Sequence, residues 1–226
     1  MTFGAFYFIK MARVCSNPAK PIMNNNPKPF KGILKKGIDL ERGEKVYGLV
    51  NQALADFVSK YHNQESWQRI KTEANIQNAS FIKTEGYDDA ITYRIVGAAC
   101  KTLEMEAGDF LQAFGRFWVL ETAPSAYADL LDSSGNTFAE FMNHLPDLHS
   151  RILLVLPNLN PPDFQVRVEA PNQLSLFYQS HRAGLQHFVI GLIYGLGKRF
   201  DVEVNVEWKT QTKTDDEPDI FHITWK

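Results

Sequence analysis

Apolar residues recur first at helical spacing and later at strand spacing, and the change falls near residue 160. Leu49, Val50, Ala53, Leu54, Phe57 and Val58 follow the i, i+3, i+4 rule of an amphipathic helix. A second helix is predicted over 65–74 around Trp67 and Ile70. Asp88 or Asp89 can cap a third, through ITYRIVGAACKTL. The stretch AGDFLQAFGRFWVLE predicts a fourth, with Phe110, Leu111, Phe114, Trp118 and Val119 on its apolar side. After NTFAEFMNHLP, the segment DLHSRILLVLP predicts a helix capped by Asp147 and ended before Pro157. NLNPPDF then breaks regular structure with two consecutive prolines. Beyond it the period becomes two. FQVRVEA and QLSLFYQS alternate around a PN turn, and VEVNVEW and DIFHITW alternate around the polar loop KTQTKTDDEP. Between the two pairs lies one long apolar helix, AGLQHFVIGLIYGLGKRF, with Gly195 and Gly197 near its end. Helices first, then an antiparallel sheet carrying a helix, define an α+β fold.

Composition narrows the class. The 226 residues are 44% hydrophobic and 22% charged, as in an ordinary globular protein. The net charge of −2 gives no basic field for nucleic acid. Its distribution is uneven. Residues 1–45 hold nine Lys/Arg and three Asp/Glu, a balance of +6, which leaves −8 for residues 46–226. The stretch 16–45, with four prolines and an Asn triplet, reads as a disordered basic extension, and 46–226 as one domain. Cys15 and Cys100 form no CxxC pair, and no run of 18 apolar residues predicts a membrane span. A cytoplasmic location follows as the expectation.

Two features invite chemistry. Leu145, Ile152, Leu153 and Leu156 share one helical face with His149, which turns that imidazole towards the interior. Such a residue is either a core histidine bonded to a carbonyl or a metal ligand. No Cys/His pair at zinc spacing accompanies it, so a metal there would have to bring its own ligands, as haem iron does. The second feature is Tyr178, Ser180 and Arg182, at alternate positions of LFYQSHRAGL. On one strand face they form either a polar strand end or a clamp for an anion such as a haem propionate.

His149 followed by Tyr178-Gln179-Ser180-His181-Arg182 resembles the haem nitric oxide/oxygen binding (H-NOX) family. VYGLVNQAL, YDDAITYRIVGAA, AFGRFWV, FMNHLPDLHSRI, PNLNPPDF, YQSHRAGL and VIGLIYGLGKRF are similar to family segments in the same order, and DIFHITW to cyanobacterial single-domain members. The resemblance implies haem b buried between a helical subdomain and the sheet. It makes His149 the axial ligand, Tyr178, Ser180 and Arg182 the propionate clamp, and Pro162 the residue that presses on the porphyrin. Val50, Leu54, Trp118, Phe188 and Leu192 would line the distal pocket. Phe188 stands where oxygen-binding members carry a tyrosine, so the pocket is expected to favour NO and CO over dioxygen, with the Trp118 indole its one nameable donor.

Three departures qualify the resemblance. The family usually starts Met-Tyr-Gly, whereas here Val46-Tyr47-Gly48 follows 45 residues. Val46 is therefore expected to be the initiator, which intact-mass measurement of the native protein tests. Asn160 replaces an arginine that cyclase-type members can pair with an acid such as Asp89. No effector domain follows, so the expectation is a non-enzymatic sensor. It would signal through a separate histidine kinase, cyclic-nucleotide enzyme or chemotaxis protein. Two alternatives compete. One is a haem enzyme of peroxidase or NO dioxygenase type, with His187 as its distal acid–base group. The other is a haem-free interaction module.

Overall fold

The computed structural model describes residues 45–77, 80–155, 160–209 and 217–226. The expectations for the basic extension concern residues 1–44 and lie outside the described residues, as does most of the loop before the last strand. The described chain opens with β1 (Lys45–Tyr47), paired antiparallel with β2 (Gly86–Asp88) so that Val46 faces Tyr87. Helices α1 (Gly48–Tyr61), α2 (Gln64–Glu73), α3 (Asp89–Leu103) and α4 (Ala107–Phe117) complete a helical half. The predicted capping acid resolves to Asp88, whose carboxylate accepts the Ala90 N–H at 2.7 Å. Their apolar faces meet in an aromatic box, where Phe57 lies 5.5 Å from Phe110 and 5.5 Å from Phe117.

The predicted fourth helix does not run on regularly to Glu121. It widens into a π-helical turn at Trp118–Thr122, followed by α5 (Ala123–Asp132), which has a proline in its first turn. Helices α6 (Phe138–Asn143) and α7 (Leu145–Val155) follow. Helix α7 begins two residues before the predicted cap. Pro146 needs no amide partner at that position, and Asp147 sits within the first turn, where its charge still suits the helix N-terminus.

Strands β3 (Asp163–Ala170), β4 (Gln173–Gln179), β5 (Val204–Trp208) and β6 (Asp219–Trp225) form an antiparallel sheet in the order β3-β4-β6-β5. Helix α8 (Gln186–Arg199) crosses between β4 and β5. Strand β5 starts at Val204 instead of Val202, because the Val202 N–H is spent on the Gly197 carbonyl as α8 closes. Phe164, Leu174, Leu176, Tyr178, Phe221 and Ile223 fill the inner face, against Leu148 of α7 and Val189 and Ile193 of α8. The fold is thus α+β with two apolar clusters, one helical and one sheet-based. Trp118 packs against both. Among the described residues no helix is long and apolar enough to cross a membrane.

Candidate functional site

Helix α7 buries Leu148 and packs Leu145 and Ile152 against the sheet cluster, which carries His149 to a half-buried position beside β3. The His149 ring centroid lies 4.9 Å from that of Phe164. Its Nδ1 donates to the Leu145 carbonyl at 3.0 Å; a carbonyl can only accept, so the proton is on Nδ1 and the lone pair on Nε2. Burial pulls the pKa below its ordinary value, against a smaller opposing effect of the Leu145 hydrogen bond. The result is a neutral imidazole of fixed tautomer in apolar surroundings, the state a metal ligand requires. Among the described residues no three His, Cys, Asp or Glu side chains are grouped to hold a metal ion. A metal at His149 would therefore arrive with other ligands of its own.

Phe164 also faces Tyr178 across the β3–β4 ladder, with rings 5.3 Å apart. Tyr178 is buried. Desolvation raises its phenol pKa, partly offset by a hydrogen bond with Ser180 and the Arg182 charge, while Asp219 adds to the rise. The phenol is held protonated, as a donor. The strand alternation expected to align Tyr178, Ser180 and Arg182 stops at Gln179, where β4 ends. Ser180 Oγ instead accepts the Arg182 N–H at 3.1 Å and turns the chain back on itself.

That turn sends Arg182 to the helical half. Its Nε donates to Asp89 Oδ2 at 2.6 Å, Nη1 to the Asn160 carbonyl at 2.8 Å and Nη2 to the Lys45 carbonyl at 3.2 Å. One guanidinium fork thus ties β1, the start of α3 and the approach to β3. The pair is largely buried, at 15% and 13% side-chain exposure for Arg182 and Asp89. Asn160 stands in place of the arginine that could pair with Asp89. The acid is paired nonetheless, with Arg182, and position 160 contributes its carbonyl. Sequence reading missed this partnership; its one signal was the doubled Asp88-Asp89, of which only the first caps the helix.

The remaining predicted residues fall around α1, α4 and α8. Val50 and Leu54 lie on α1 and Trp118 opens the π turn, while Phe188 and Leu192 lie one turn apart on α8. Phe188 stacks on Phe114 at 5.4 Å, and Trp118 meets the same ring edge-on at 6.3 Å. Leu54 is sealed within the helical cluster, whereas Val50, Trp118, Phe188 and Leu192 stay half-buried. Pro162 is half-buried immediately before β3. Helices α4 and α8 touch through their backbones: a Cβ on Gly115 would lie 2.5 Å from the Phe188 carbonyl oxygen and 2.8 Å from the Leu192 nitrogen. His187 turns elsewhere. Gln112 Nε2 donates to its Nδ1 at 3.1 Å, and its ring meets Trp208.

Residues 47–208 match the family described as haem-NO-binding. The chain belongs to the haem-NO-binding family. Among similar solved structures, an H-NOX protein from S. oneidensis in the Fe(II)NO state superposes with a TM-score of 0.73 at 20% identity, covering 80% of this chain and 99% of that one. The unliganded Fe(II) H-NOX protein from K. algicida gives 0.70 at 18% identity, covering 80% and 97%. Among curated relatives, soluble guanylate cyclase gcy-31 of Caenorhabditis elegans is 23% identical over 163 residues, 72% of this chain and 23% of that protein. The beta-2 subunit of soluble guanylate cyclase from Rattus norvegicus is 35% identical over 96 residues, 42% of this chain and 14% of that protein. The chain spans about a quarter of the length of gcy-31. H-NOX domains bind haem, and the neutral His149 with its free Nε2 in an apolar wall suits that group.

Proposed function

We propose that this H-NOX domain is a haem-based sensor of nitric oxide and carbon monoxide. The observation that carries the reading is His149: one neutral imidazole, proton fixed on Nδ1 by the Leu145 carbonyl, beside Phe164 on the wall below Tyr178. His149 Nε2 would hold the iron of haem b. Tyr178 and Ser180 donate to a propionate, and Arg182 supplies the positive charge, shared with Asp89. Pro162, immediately before β3, would pack against the porphyrin on the His149 side. Ferrous haem, when bound, supplies a coordination position for a diatomic gas. Val50, Leu54, Trp118, Phe188 and Leu192 surround that position with hydrocarbon and rings, and Phe188 has no hydrogen to donate to bound dioxygen.

Helix α7 transmits the event. It holds His149 by its own backbone and rests on β3 through Phe164, so a change in the pull on the imidazole moves α7 against the sheet. The domain signals from the cytoplasm to a separate protein, such as a histidine kinase, a cyclic-nucleotide enzyme or a chemotaxis protein, and catalyses nothing itself. The peroxidase alternative loses support because His187 is engaged by Gln112 and Trp208.

Haem titration of the apoprotein tests the reading. Wild type is expected to give a Soret band saturating at one haem per chain. His149→Gly should lose the histidine-ligated spectrum and regain it with added imidazole. A His149→Gly spectrum identical to wild type would contradict it.

A further inference from the structure

Asp219, the first residue of β6, is a buried carboxylate at 7% exposure that belongs to no motif of the haem site. It stands directly opposite Tyr178 in the β4–β6 ladder. Its Oδ2 accepts from Gln186 Nε2 at 3.0 Å, and Gln186 is the first residue of α8. Its Oδ1 accepts from the Trp208 indole N–H at 3.3 Å, at the end of β5. Trp208 in turn stacks on Phe221 at 6.3 Å, and Phe221 meets Tyr178 at 6.3 Å. One acid therefore gathers the end of β5, the start of β6 and the start of α8 behind the clamp tyrosine. A simple tie between these elements could be made by an amide. A carboxylate places a formal charge where burial weakens solvent screening.

We propose that Asp219 is a positioning residue of the haem site, whose fixed negative charge behind Tyr178 lowers the reduction potential of the iron while its hydrogen bonds set the start of α8. The inference rests on the haem reading above. A negative charge near the site favours the more positive ferric state, and a buried charge beside the residues that hold the group is among the protein's means of setting a haem potential. Burial is the main reason the Tyr178 phenol resists ionisation, and the Asp219 charge adds a smaller effect in the same direction. Through Gln186, the same carboxylate holds the first turn of α8, from which Phe188 projects.

Spectroelectrochemistry of the haem-loaded protein separates charge from tie. Asp219→Asn keeps a carbonyl acceptor but removes the charge, and Asp219→Ala removes both. The expected result is a midpoint shifted to more positive potential in both variants by a similar amount. An Asn variant at the wild-type midpoint, with only the Ala variant shifted, would overturn the charge role. Should the Asp219 variants fail to fold, Trp208→Phe with Gln186→Leu serves instead. It strips these two donors and keeps the acid, so the midpoint should stay at or fall below wild type, and a rise would overturn the proposal. Wild type that takes up no haem would overturn the sensor reading itself, and this inference with it. A haem-loaded wild type with an unmoved Asn variant overturns this inference alone.

Discussion

Single side chains carry the site, and their protonation states are testable. Burial raises the Tyr178 phenol above its ordinary value of 10.0. The unfolded chain therefore releases this proton first. The stabilisation is intact below pH 10 and is lost as pH rises from there through the higher folded pKa. Thermal melts of the apoprotein between pH 9 and 11 should show a steeper fall for wild type than for Tyr178→Phe; parallel curves would contradict the assignment. The Asp89–Arg182 pair predicts a larger effect. Removing one partner of a buried pair strands the other charge, at a cost of about 3–5 kcal/mol. Asp89→Ala should lower stability to urea by that order, with Arg182→Met recovering part of the loss. An Asp89→Ala variant as stable as wild type would show the pair to be solvated.

Among the elements, the crossing of α4 and α8 sets the spacing of the residues proposed to line the distal pocket. Gly115→Ala would drive a methyl group into the Phe188 carbonyl and the Leu192 amide. Backbone cannot yield as a side-chain tip can, so the expected cost is about 1–3 kcal/mol, with the near-UV signal of the Phe188–Phe114–Trp118 group changed. Unaltered stability and near-UV dichroism would rule out the close crossing. Most of these elements were legible in the sequence, because each shows one period to one core. DIFHITW became β6 residue for residue, and Trp67 and Ile70 marked α2 to within a residue. The π turn at Trp118 was not legible, since one extra residue per turn leaves the apolar spacing of AFGRFWVLE nearly helical. The proposed clamp was half legible. Alternation brought Tyr178 to the inner face, but the turn that carries Arg182 away rests on a Ser180 hydrogen bond that no periodicity encodes. Asp219 was hidden for a similar reason: a polar residue opening a strand looks like the end of a loop.

Across the folded domain, the helical half and the sheet half meet at two kinds of contact. One is apolar, through Trp118 and α8; the other is ionic, through Arg182. His149 rides on α7 beside the sheet, whereas Asp89 and Lys45 belong to the helical half. Arg182 is thus placed to feel the relative position of the halves and, on the proposed reading, a propionate as well. This two-contact arrangement suits a ligand-biased two-state element. The domain's central claim, an NO sensor with a distal pocket lacking a strong donor, is tested most directly by the absorption spectrum of the purified ferrous protein. In air it should remain unoxygenated, and with excess NO it should give the five-coordinate nitrosyl spectrum of a released His149. A stable oxy complex in air, or a nitrosyl that stays six-coordinate, would contradict the account.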